Sequence, residues 1–81
     1  MEAELIARCR RGEAQAIEEL VRENQTSIYR LCLSVLNDAD EAEDAVQESF
    51  IAALGALDKY RGDSAFSTWL YTIALNTSRG M

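Results

Sequence analysis

The chain has 81 residues, a formal net charge of −6, 48% hydrophobic and 27% charged residues, which suits one domain with a modest core and not two. No apolar run approaches the ~20 residues that cross a bilayer, and the start does not read as a signal peptide, so a cytoplasmic chain without membrane insertion is expected. Histidine is absent, as are a phosphate-cradling Gly-rich loop and a nucleophile elbow, so neither an enzyme nor a cofactor is expected.

Proline is absent, glycine occurs four times, and Ala, Leu, Glu and Arg dominate, a composition that favours an all-α fold. Glu2 to about Arg11 reads as a short helix with Leu5, Ile6 and Cys9 on one side and Arg8, Arg10 and Arg11 near its end, where cations suit the helix dipole. Gly12 stops it. A second helix is expected from Glu13 to about Leu36, since Ile17, Leu20, Val21, Ile28, Leu31, Cys32 and Val35 recur at helical spacing. Asn24-Gln25-Thr26-Ser27 is expected to bend or fray it. Cys9 and Cys32 lack the spacing of a zinc site, and two reduced, buried thiols are expected. A disulfide between them would need the first two helices to pack side by side.

Asp40 with Glu43 makes a capping-box pattern, so a third helix should start near Glu41 and run to about Leu57. Ala42, Val46, Phe50, Ala53, Leu54 and Leu57 form its apolar face, and Gly55 either permits close packing or weakens the last turn. Glu41, Asp44 and Glu48 form an acidic stripe bordered by Gln47 and Ile51. Residues 37–57 hold six acids and no base, whereas the flanking segments are nearly balanced. The stripe is either a solvated face or a docking surface for a basic partner. Magnesium ligation by Asp40, Asp44 and Glu48 is a distant third reading.

A polar turn, Tyr60-Arg61-Gly62-Asp63-Ser64, leads into a fourth helix from Ala65 to about Arg79, with Gly62 free to take a positive φ and Ser64 placed as N-cap. Four of the six aromatic residues, Tyr60, Phe66, Trp69 and Tyr71, fall in this stretch. Phe66, Trp69, Leu70, Ile73 and Thr77 should point inward. Thr68, Thr72, Asn76 and Arg79 form an opposite polar line. Turn amides, a hydroxyl, a basic side chain and a ring could hold an unstacked nucleotide base; the bland alternative is a helix corner whose aromatics are core. A free-standing duplex-DNA binder normally shows a basic face, and this chain has none.

The run Asp40-Glu41-Ala42-Glu43-Asp44-Ala45-Val46-Gln47-Glu48-Ser49-Phe50 resembles region 2.2 of bacterial RNA polymerase sigma factors. Phe66-Ser67-Thr68-Trp69-Leu70-Tyr71-Thr72-Ile73-Ala74-Leu75-Asn76 resembles regions 2.3 and 2.4. Arg61 to Phe66 is similar to sigma-E-type members of the extracytoplasmic-function (ECF) subgroup, and Leu5-Ile6 with Arg11-Gly12-Glu13 and Ala16 is similar to the family's opening. The match covers nearly the whole chain.

The resemblance implies the helical fold of sigma domain 2, with three long helices plus a short first one over residues 1–81. It implies docking of Asp44, Gln47 and Glu48 on the clamp helices of the RNA polymerase core β′ subunit. It also implies capture of a flipped, single-stranded non-template base of the promoter −10 element by Tyr60, Arg61, Gly62, Asp63 and Ser64 together with Asn76. Tyr71 and Trp69 fall in the region linked to strand opening, with Trp69 expected to be mainly core. An anti-sigma factor is a further expected partner. Thr72 stands where many members carry Arg, Ala52 stands where some carry a basic residue, and the region 4 domain is missing from this sequence. The rival reading is an acidic interaction module that binds a basic partner without DNA readout. On the residues alone, Asn76 could instead brace the loop while Tyr60 packs on Leu57.

Overall fold

The computed structural model describes residues 2–81. Four helices follow in order, α1 (Glu2–Arg10), α2 (Ala14–Leu36), α3 (Ala39–Gly55) and α4 (Phe66–Arg79), with a 3-10 turn at Leu57–Lys59 and no strand among the described residues. The all-α fold of three long helices and a short first one is as expected. Helices α2, α3 and α4 pack on one another, and α1 packs on α2.

Each boundary has a local cause. Gly12 takes φ +79, and its N–H bonds to the Cys9 carbonyl at 2.9 Å, which ends α1. Across that corner the Glu13 carboxylate accepts from Arg8 Nε at 2.9 Å and Arg11 Nε at 3.0 Å. Asn37 ends α2 in the left-handed region at φ 55, with its N–H bonded to the Leu33 carbonyl at 2.8 Å. The expected bend at 24–27 is absent, and α2 is continuous. Asn24 faces the core and donates from Nδ2 to the Leu20 carbonyl at 2.8 Å, and Ser27 Oγ donates to the Asn24 carbonyl at 3.1 Å, so both satisfy themselves within the helix.

The cap of α3 is Asp38, not Asp40. Its backbone is extended, at φ −146, and its carboxylate accepts from the Glu41 N–H at 2.9 Å. The helix also ends two residues earlier than expected, at Gly55, where the chain tightens into the 3-10 turn.

Phe66, Leu70, Ile28 and Cys32 lie at the centre of the core. Burying each of the first three contributes about 1.5–3 kcal/mol. On α3 the small side chains Ala42, Ala45, Ser49 and Ala53 are all fully buried, with Val46 and Phe50 buried beside them. Ser49 Oγ donates to the Ala45 carbonyl at 2.6 Å. Ala74 and Ser78 are likewise buried on α4, beside Phe66 and Leu70. The two thiols are free and buried, and burial pushes the Cys9 thiol up. Cys9 sits at the Gly12 corner, whereas Cys32 lies about 27 Å along α2 at helical rise, too far to bridge.

Candidate nucleic-acid and partner interfaces

The loop 60–65 departs from expectation in what holds it. Tyr60 is only 7% exposed, so its ring is not a free stacking face. It packs edge-on against Phe66 at 5.7 Å and tilted against Trp69 at 5.2 Å, and the Phe66 and Trp69 rings are 5.7 Å apart. Its hydroxyl donates to the Ser64 carbonyl, closing the loop on itself. Burial first, and then the Glu2 charge, raise the Tyr60 hydroxyl pKa above its ordinary value. Ser64 is not the cap of α4: the cap position is Ala65, which offers no side-chain acceptor. The Phe66 N–H donates instead to Glu2 Oε2, at 3.2 Å, from the far end of the chain.

The other side of the loop is tied to α1 as well. The Arg10 guanidinium donates to the Leu57 carbonyl at 3.2 and 3.3 Å and to the Tyr60 carbonyl. Gly62 has φ +81, and a Cβ there would meet open space, so backbone conformation alone calls for glycine. Arg61, Gly62, Asp63 and Ser64 are exposed, and between them and α1 lies an open cavity of about 450 Å³ walled by Glu2, Ile6 and Arg10. Sequence reasoning assigned Arg10 to the helix dipole and Glu2 to nothing. Their partners are 47 to 64 residues away, a separation that leaves no local signal.

Asn76 is exposed, and its carboxamide has no hydrogen-bond partner among the described residues, so it does not brace the loop. It lies ten residues beyond Phe66, about 15 Å along α4, and does not line the loop cavity. Instead Asn76 continues an exposed ridge of Ser67, Thr68, Tyr71 and Thr72, with Tyr71 48% exposed. A second cavity, of about 380 Å³, runs between this ridge and Ser27 and Ile28 of α2.

On α3, Asp44, Gln47 and Glu48 are exposed on one face, in register with Ile51, which is 72% exposed. Gln47 and Ile51 also border a shallow groove floored by Val21, Val46 and Phe50 between α2 and α3. No three acidic, histidine or cysteine side chains converge among the described residues.

These features agree with comparisons to known proteins. The family described as Sigma-70 region 2 matches residues 20–79. The RNA polymerase sigma-H factor of Pseudomonas aeruginosa is 47% identical over 76 residues, covering 94% of this chain and 39% of that protein. The ECF RNA polymerase sigma-E factor of Salmonella typhimurium is 45% identical over 75 residues, covering 93% and 39%. This chain therefore spans about two fifths of the length of the curated relatives it matches. Among solved structures, an engineered region 2 of sigmaE in complex with GTAAAA superposes with a TM-score of 0.88 at 36% identity, covering 99% of this chain and 83% of that one. No helix among the described residues is long and apolar enough to cross a membrane. By the match over residues 20–79, the shared fold and the ECF relatives, the chain belongs to the sigma-70 region 2 family.

Proposed function

We propose that the chain is the non-enzymatic part of an ECF-type sigma factor that docks on RNA polymerase core and recognises the promoter −10 element in unpaired form. The observation that carries this is the ridge of α4. It presents hydroxyls, a carboxamide and the Tyr71 ring where a duplex binder would present cations. Uncharged donors and acceptors with a ring suit base edges and faces, while phosphate affinity would need Lys and Arg. The loop cavity and Asn76, being far apart, serve different nucleotides: one base enters beside Arg61–Ser64, and another meets Asn76.

With a net charge of −6, most of the affinity for promoter DNA must come through the polymerase. The stripe of Asp44, Gln47 and Glu48 is the surface suited to that contact, with Ile51 as an apolar anchor at its edge. Action in the cytoplasm, and an anti-sigma factor that covers one of these faces, belong to the same reading.

Two measurements test it. The chain should bind the oligonucleotide GTAAAA with a preference that changes as each base is replaced, and should bind the matching duplex poorly. It should also be retained by core polymerase, with Asp44→Arg abolishing retention while the helical circular dichroism stays normal. Retention without any base preference would favour the rival reading, an acidic interaction module.

A further inference from the structure

We propose that Glu2 and Arg10 of α1 are positioning residues that clip the loop 60–65 into shape and thereby set which base its cavity accepts. This rests on the reading of that cavity as a base site. The Arg10 guanidinium joins the carbonyls of Leu57 and Tyr60 on one side of the loop, and Glu2 holds the first amide of α4 on the other. Between these anchors only the Tyr60 hydroxyl bond to Ser64 ties the loop to itself, and residues 61–65 are exposed. Neither Ser64 nor Ala65 caps α4 through its side chain. The shape of the loop is therefore dictated from a helix that packs mainly on α2 and lies outside the matched residues 20–79.

A loop held in one conformation discriminates between bases, because the wrong base leaves its fixed polar groups unpaired; a loose loop adapts to several. Arg is suited to the task, since its planar fork reaches two carbonyls at once and Lys offers a single compact charge.

The test uses Arg10→Met, Arg10→Lys and Glu2→Ala in the full chain. The readouts are binding to GTAAAA and to the same oligonucleotide with each base replaced in turn, hydrogen exchange of the Phe66 amide, and circular dichroism. Arg10→Met should flatten preference at one base position by about three- to tenfold, the scale of one ordinary net hydrogen bond, and leave the other positions and the helix content alone. Arg10→Lys should recover part of that preference. Glu2→Ala should speed exchange of the Phe66 amide. A profile that Arg10→Met leaves unchanged, or weakens equally at every position, would overturn the clip. Should Arg10→Met fail to fold, an Arg10→Lys protein with a wild-type profile would overturn it as well. If the unaltered chain shows no base preference, the base-site reading fails first, and the clip as a specificity device falls with it.

Discussion

The Tyr60 hydroxyl bonds to the Ser64 carbonyl four residues on, so the ring that a nucleotide would be expected to stack upon is instead the brace of the loop. The ring is already enclosed, in contact with Phe66 and Trp69 and only 7% exposed. Tyr60→Phe should keep the three-ring cluster and lose about 1 kcal/mol through the missing hydrogen bond. Tyr60→Ala should cost about 3–5 kcal/mol, as core aromatic truncations do. Urea unfolding of both variants checks this. A Tyr60→Ala protein of wild-type stability would mean that the ring is not packed.

Capping of α3 gives a paired comparison. Asp38→Ala should destabilise by about 1 kcal/mol, because the Glu41 amide loses its acceptor. Asp40→Ala, inside the first turn, should cost only about 0.3–1 kcal/mol of dipole interaction, at the lower end for an exposed carboxylate. Thermal melts of the two proteins side by side give the order directly.

Gly55 closes α3 with open space around the position of a Cβ and no positive φ. It does not permit close packing, so only its backbone entropy matters. Gly55→Ala should stabilise by about 0.5–1 kcal/mol. A lower melting temperature would reveal a need for glycine flexibility at the start of the 3-10 turn.

The Glu13 carboxyl is held below its usual range because it accepts hydrogen bonds from Arg8 first and Arg11 second. A carboxyl whose folded pKa is depressed stabilises above its unfolded pKa and loses that contribution as pH falls through the folded one. The melting temperature difference between the wild type and Glu13→Gln should therefore be constant near neutrality and shrink below about pH 4. A difference that grows on acidification would contradict the sign.

The helices were legible because each carries a 3.6-residue apolar pattern, and the first two end at residues with a backbone reason to stop, Gly12 and Asn37. The error at α3 arose from two equally good capping patterns, Asp38 with Glu41 and Asp40 with Glu43. The left-handed Asn37 decides between them, since it ends α2 and leaves Asp38 extended at the next helix start. The family signature and the exposed residues of the acid stripe and α4 ridge were readable as surface patterns. The burial of Tyr60 was not, because an aromatic ring in a polar turn looks solvent-facing until Phe66 and Trp69 fold over it. The α1 contacts to the loop were beyond reach for a different reason, namely that two charged side chains at one end of a chain find backbone groups at the other.

The buried face of α3 has a mechanical consequence. Ala42, Ala45, Ser49 and Ala53 are buried without residual exposure, and a close-packed contact has little freedom to slide. The acid stripe and the α4 ridge belong to adjacent helices joined through that contact. In the proposed function one of them grips an enzyme and the other a nucleic-acid strand, so the domain works as a gauge block whose thickness is fixed by methyl groups. Widening it with a single Ala45→Leu exchange would displace the strand-reading edge from wherever the polymerase expects it, with every surface residue still in place.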